Sequence, residues 1–190
     1  MKAIAICGSP RKNGNTEILL KRCCDKFSEA GFETKLELLA HKTIKACIGC
    51  NGCRKTENNK CVLKDDGFNE LYKKTIDSDI IITGSPVYFG SASSQITSFL
   101  DRAGYVARAN GNPLSRKIGA PIVVARRAGQ NFTYAQLVCW YTINDMIVPG
   151  STYWNIAFGR EKEDVCSDDE GLKTVDRLAE NIIWLANKIK

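Results

Sequence analysis

The chain has 190 residues, a length for about one domain and enough to bury a substantial core. With 44% hydrophobic and 25% charged residues it has an ordinary globular composition, which excludes intrinsic disorder, a collagen-like repeat and a coiled coil. The formal net charge is +6, but no long block of like charge occurs; a nucleic-acid arm is not indicated, and the excess points no further than an anionic ligand or partner.

Ala3 to Cys7 is a short apolar run ending in Gly8-Ser9-Pro10, the pattern of a buried parallel strand. Thr16 to Ala30 carries Ile18, Leu19, Cys23 and Phe27 at helical spacing and stops at Gly31. Glu33 to Leu39 alternates, with Leu36 and Leu38 on one face, and reads as a second strand. A cysteine-rich segment follows, from Thr43 to Lys64. Asp66 is placed to cap a helix over Gly67 to Ile76. Asp79 opens the β-branched run Ile80-Ile81-Ile82-Thr83, a buried strand that Gly84-Ser85-Pro86 should end. Ser93, Ser94 and Gln95 lead into a helix bearing Ile96, Phe99, Leu100 and Ala103. Ala120 to Ala125 reads as another buried strand, and Phe132 to Ile143 as an aromatic-rich helix. Met146 to Val148 and Tyr153 to Phe158 read as short strands around Pro149-Gly150. The last helix lines up Leu172, Val175, Leu178, Ile182, Leu185 and Ile189 on one side of a charged segment.

Strands alternating with helices predict an α/β fold with right-handed crossovers. The expected form is a three-layer sandwich: a five-stranded parallel sheet in the flavodoxin-like order 2-1-3-4-5, with helices on both faces. One domain over residues 1–190 is expected, the cysteine segment at about 43–64 being an insertion. In such sheets ligands sit beyond the carboxyl ends of the strands, where the strand order reverses.

The longest uncharged run, Ile80 to Leu100, holds Gly84, Pro86, Gly90 and several serines, which argues against membrane insertion. The apolar stretch before Gly8 is too short for a signal peptide. A cytoplasmic location is therefore expected, with no nucleic acid or membrane as partner. In that reducing setting, an odd count of nine cysteines argues against a disulfide framework.

Two loops carry the chemistry of a ligand site. Gly8-Ser9-Pro10-Arg11-Lys12-Asn13-Gly14-Asn15-Thr16 lies between the first strand and first helix. It supplies two cations, hydroxyl and amide donors, and the free N–H groups at a helix start, a setting for phosphate. The loop lacks the P-loop ending and the Rossmann glycine spacing. A capped Pro/Gly turn is the plain alternative. The second loop, Gly84-Ser85-Pro86-Val87-Tyr88-Phe89-Gly90-Ser91, offers flat apolar walls and turn amides for a planar ring. Its plain alternative is a hydrophobic turn plugging the core.

Together these loops describe an FMN site, and here the chain resembles the NADPH-dependent FMN reductases. The resemblance rests on Gly8-Ser9-Pro10-Arg11 through Asn15-Thr16 and on Ser85 to Ser91, and extends along nearly the whole chain. Ala125-Arg126-Arg127-Ala128-Gly129-Gln130 is similar to that family's third flavin-side loop. The cofactor-binding set so expected is Ser9, Arg11, Asn13, Asn15, Thr16, Pro86, Val87, Tyr88, Phe89, Gly90, Ser91 and Arg126. No side chain is required as a catalytic acid or base, because the flavin carries the chemistry.

Cys47, Cys50, Cys53 and Cys61 form a third motif, C-x2-C-x2-C-x7-C. Two tandem x2 steps suit three ligands of an iron–sulfur cluster, with the fourth further on. Structural zinc more often uses two separated C-x2-C pairs. Unligated thiols or a redox dithiol complete the alternatives. Flavin loops with this motif resemble the iron–sulfur flavoproteins. That resemblance implies FMN and a [4Fe-4S] cluster in each subunit of a homodimer or homotetramer, with Cys47, Cys50, Cys53 and Cys61 as ligands.

Three functions follow. In one, electrons pass between a ferredoxin-like carrier and a small acceptor through cluster and FMN. In another, NAD(P)H reduces FMN, which reduces a quinone, azo or nitro compound or free flavin, and the cysteines hold zinc or nothing. In the last, the chain is a zinc-bound or redox-sensing module without turnover. Cys7, Cys23 and Cys139 are expected in the core, and Cys24 and Cys166 are incidental. The one histidine, His41, is a surface residue.

Overall fold

The computed structural model describes residues 1–189. The elements run β1 (Lys2–Cys7), α1 (Asn15–Glu29), β2 (Glu33–Leu38), α2 (Gly52–Thr56), α3 (Phe68–Ile76), β3 (Ile80–Tyr88) and β4 (Ser91–Ala92). They continue with α4 (Ser94–Ala109), β5 (Ile118–Ala125), α5 (Gln130–Ile143), β6 (Ile156–Phe158) and α6 (Asp169–Lys188), the last preceded by a short 3-10 turn at Asp164–Ser167.

Five parallel strands lie in the order β2-β1-β3-β5-β6, which is 2-1-3-4-5 when those five alone are numbered. The short β4 is a sixth strand, antiparallel to the end of β3 through Val87↔Ala92 and Tyr88↔Ser91. Alternation along each strand feeds two cores. Ala3, Ala5, Ile80 and Ile82 pack under α1 and α6 with Leu19, Phe27, Leu178 and Ile182. Ile4, Ile6, Ile81 and Val123 pack under α3, α4 and α5 with Phe68, Phe99, Leu137 and Tyr141. This is the flavodoxin-like three-layer arrangement, with helices on both faces.

Several local expectations are corrected. Gly84-Ser85-Pro86 does not end the strand; β3 runs on to Tyr88. An ideal Cβ on Gly84 would stand 2.6 Å from Leu20 Cδ1 and 2.8 Å from Thr16 Cγ2. That glycine is a close-approach site for α1, not a stop. Pro86 is tolerated because β1 pairs with β3 only as far as Gly84, so the missing N–H breaks no bond on that side. Met146 to Val148 is not a strand; Ile147 makes a single bridge to Ile118. Tyr153 to Phe158 shortens to Ile156–Phe158. Cys139 is exposed, because α5 buries the stripe Thr133, Leu137, Tyr141 and the cysteine lies off it. Cys24 is buried in the core beside Cys23. No helix among the described residues is long and apolar enough to cross a membrane.

Candidate functional site

The carboxyl ends of β1 and β3 are laced together with the start of α4. Gly8 N donates to Gly84 O at 2.8 Å. Ser93 Oγ donates to Gly8 O at 2.5 Å, and Ser93 N donates to Ser85 Oγ at 2.9 Å. A Cβ on Gly8 would stand 2.6 Å from Ile96 Cβ, so only glycine lets α4 come this near. These bonds fix where the two loops leave the sheet.

Between the loops lies a cavity of about 560 Å³. Ser9, Arg11, Asn15 and Thr16 line it from the first loop and α1; Pro86, Val87 and Tyr88 line it from β3; Arg126 comes from the end of β5. The helix α1 opens on the cavity with Gly14 at its N-cap and no side-chain capping bond, leaving its first N–H groups without a side-chain acceptor. Ser9 is buried, and its Oγ accepts from Arg11 N at 3.2 Å, shaping the turn. Asn15 Nδ2 donates to Glu161 O at 2.8 Å, while its buried Oδ1 has no partner. Beneath the loop, burial pushes the Cys7 thiol up to about 11.

Asn13, Phe89, Gly90 and Ser91 do not line the cavity. Asn13 is exposed at φ 50, and its N–H donates to Glu17 Oε2 at 2.6 Å. Phe89 is fully exposed at φ 51 and points its ring to solvent. Ser91 Oγ donates to Gln136 Oε1 at 3.0 Å, towards α5.

A fourth wall was not foreseen: Gly159, Arg160, Glu161 and Lys162, just after β6. Asp164 Oδ2 pins this loop by accepting from Arg160 N at 3.0 Å and Glu161 N at 2.7 Å. With it the lining holds five cations, Arg11, Lys12, Arg126, Arg160 and Lys162, against the single carboxylate of Glu161. The available signal was position: Gly159 to Lys162 leaves the carboxyl end of a strand, where ligands of such sheets bind.

The four cysteines border a second, small cavity of about 20 Å³, with Ile48, Val62, Arg102 and Tyr105. Cys50 is exposed, Cys47 and Cys61 are half-buried, and Cys53 is buried on the short α2. Burial, then the nearby Cys61, Cys47 and Cys50, raises the Cys53 thiol. Among the described residues, no three His, Cys, Asp or Glu side chains close around a single metal ion. Polar groups on α3 and α4 hold the segment, and sequence reading missed them. Asn69 Oδ1 accepts from Cys61 N at 2.8 Å, and its Nδ2 donates back to Cys61 O at 3.0 Å. Asn110 accepts from Asn59 N at 2.9 Å and donates to Cys53 O at 3.3 Å. Four thiols on one cavity are the donor type and number an iron–sulfur cluster requires.

A flavodoxin-like sheet with an anion-ready loop at its reversal point is the architecture of a flavin-binding protein. Comparison with known structures gives the same fold. The crystal structure of RosB with bound 8-demethyl-8-formylriboflavin-5'-phosphate superposes with a TM-score of 0.77 at 15% identity, covering 100% of this chain and 80% of that one. A flavodoxin from the domain Archaea gives 0.66 at 13% identity, covering 98% and 99%. The model of the NADPH-dependent FMN reductase family matches residues 1–161. An iron-sulfur flavoprotein of Methanocaldococcus jannaschii is 37% identical over 100% of both chains. One of Methanosarcina thermophila is 33% identical over 96% of this chain and 93% of the other. The chain belongs to the NADPH-dependent FMN reductase family, and the curated relatives it matches carry the name iron-sulfur flavoprotein. It is an FMN-dependent oxidoreductase.

Proposed function

We propose that the larger cavity holds FMN, that Cys47, Cys50, Cys53 and Cys61 hold a [4Fe-4S] cluster, and that the chain passes electrons between a redox carrier and a small acceptor. The observation that carries this reading is the gathering of all four cysteines on one cavity, in the same chain as the larger cationic one.

The uncapped start of α1 and the five cations would bind the FMN phosphate, by N–H donation and charge. Arg11 is kept over the cavity by a long contact from its Nη1 to Arg160 O at 3.5 Å. Asn15 ties α1 to the Glu161 loop, so the phosphate end is enclosed from two sides. Pro86, Val87 and Tyr88 would hold the ring flat and keep water from one side of it. Bound FMN supplies the coupling of one-electron and two-electron chemistry, and a bound cluster supplies one-electron transfer. The chain's own part is to orient the ring and set the charge around it.

The proposal includes one FMN-binding domain with the cysteine segment as an insertion, a cytoplasmic location, and assembly as a homodimer or homotetramer. Exposed Phe89, Phe132, Tyr153 and Trp154 support self-association. A ferredoxin-like protein or NAD(P)H is the proposed donor. Zinc fits less well: it needs four sulfurs about 2.3 Å from one point, and the thiols border a cavity without meeting at one. That same observation keeps a cluster-free NAD(P)H-dependent FMN, quinone or azo reductase as the second reading.

Anaerobic purification with FMN, iron and acid-labile sulfide assays tests the choice, together with spectra before and after dithionite. About four irons per chain and a broad shoulder bleached by dithionite support the cluster. Stoichiometric FMN with no iron leaves the cluster-free reductase. Colourless protein that takes up no FMN overturns both.

A further inference from the structure

Arg102 is the largest of the fully buried side chains among the described residues, 1% exposed, and it borders the cysteine cavity from α4. Its Nη1 donates to Asp66 Oδ2 at 2.6 Å and to Lys45 O at 3.2 Å. Lys45 N donates to the same Asp66 oxygen at 2.9 Å. Lys45 stands just before Cys47, and Asp66 just after the stretch that holds Cys61. One guanidinium nitrogen therefore closes the cysteine segment at both ends. The guanidinium carbon lies 4.1 Å from the centroid of the Phe68 ring, which fixes its plane. Its Nε and Nη2 are buried and have no partner among the described residues.

A buried cation with three unpaired N–H groups, one on Nε and two on Nη2, is costly unless something accepts them. The one ion pair to Asp66 accounts for its charge but not for those donors. Phe68 packs on the guanidinium face, and apolar residues such as Val106 line the cavity beside it. Acceptors among the residues lining the cavity are the four cysteine sulfurs, the Asn51 amide and the Tyr105 hydroxyl, and of these only sulfur, as thiolate or sulfide, carries the negative charge that a guanidinium complements.

We infer that Arg102 is a positioning residue for the cysteine site: Nη1 clasps the two ends of the segment, and Nε and Nη2 donate to sulfur of the bound centre. This rests on the cluster reading above. No bond is made or broken; the effect is on metal retention and on redox potential. A cation hydrogen-bonded to sulfur favours the reduced, more negative centre and so raises its potential.

The test compares wild type, Arg102→Lys and Arg102→Met, purified anaerobically. Iron, sulfide and FMN per chain are measured, with the midpoint of the iron–sulfur signal by redox titration. Backbone hydrogen exchange over residues 45–66 is read in the metal-free chains. Lys keeps the charge but cannot reach Asp66, Lys45 and sulfur together. Both variants should keep wild-type FMN. Iron should fall to half or less, or the remaining cluster should titrate at a more negative potential, further in Met than in Lys. Exchange over 45–66 should quicken about tenfold, the equivalent of about 1.4 kcal/mol of lost local protection. Unchanged iron, midpoint and exchange overturn the inference. Parallel loss of FMN in the Lys variant also overturns it, since the residue would then hold the whole fold. If wild type binds no iron, the cluster reading fails by itself; exchange in the same variants still decides whether the clasp exists.

Discussion

The two candidate sites are built on different principles. The flavin-side cavity is held by the ends of β1, β3, β5 and β6, so the sheet and both cores support it. The cysteine site hangs between β2 and α3 on a segment with little regular structure. Asn51, Glu57 and Asn59 there take positive φ, as does Gly49. Its order comes from a few side chains outside it, Asn69, Asn110 and the Arg102–Asp66 pair. A scaffolded cavity keeps its shape when its contents change, whereas a clasped segment gains much of its stability from what its thiols bind. Substitutions should therefore separate the two sites cleanly.

The largest separation should come from Cys53→Ser. Loss of one of four ligands should abolish iron binding altogether, while FMN remains at wild-type stoichiometry. Iron and flavin assays on one preparation check this. Retention of full iron would remove Cys53 from the ligand set; loss of FMN as well would deny that the sites are independent.

Asn15→Asp should act in reverse, on the flavin side alone. The change is nearly isosteric but places a carboxylate at the uncapped start of α1, where phosphate is proposed to bind. A carboxylate there favours the helix dipole but removes the donor that Asn15 Nδ2 gives Glu161 O, so the FMN-free chain should melt slightly below wild type while remaining folded. The FMN dissociation constant should rise about a hundredfold, or about 2.7 kcal/mol. Fluorescence titration of apoprotein and a thermal melt read the two effects. Unweakened FMN binding would move the phosphate away from α1.

Gly84→Ala tests how tightly the scaffold is packed. The new methyl would meet Leu20 and Thr16 below 3 Å. The expected cost is about 1–3 kcal/mol of unfolding free energy, the usual penalty for overpacking. Urea denaturation measures it, and a neutral result would show that α1 can shift away from the sheet.

The sequence made the sheet legible because burial writes itself as unbroken runs such as Ile80 to Thr83 and Ala120 to Ala125. It showed the first loop for the same reason, since that loop follows such a run; the second, read as Gly84 to Ser91, lies within β3 as far as Tyr88. Gly84 was misread because a glycine needed for helix approach looks the same as one ending a strand. The Gly159–Lys162 wall was missed although the strand before it was read, because Gly-Arg-Glu-Lys is the composition of any solvated turn and nothing local marks its approach to Asn15. The supports of the cysteine segment were invisible for a different reason. Arg102, Asn69 and Asn110 lie on α3 and at α4, and polar helix residues give no local sign that they turn inward. A buried arginine is recognised only once its neighbours are in place.

The smallest effect concerns the cysteines themselves. Burial holds the Cys7 thiol at about 11 against an ordinary 9.0, so it stays protonated in the folded chain well above neutral pH. Cys50, Cys139 and Cys166 are exposed. In metal-free protein, alkylation near neutral pH should label those three and spare Cys7 and the fully buried Cys23, as peptide mass mapping would show. The same displacement sets a sign for stability. Between pH 9 and 11 the unfolded chain has lost the Cys7 proton and the folded chain has not, so ionisation favours unfolding. This contribution is fully present below pH 9 and is lost as pH rises towards 11. In Cys7→Ala the decline should be shallower, although the variant starts less stable for want of the buried sulfur. Labelling of Cys7 at the rate of Cys50 would mean that the floor of the flavin cavity opens as readily as the cysteine segment, and the contrast between the two sites would not hold.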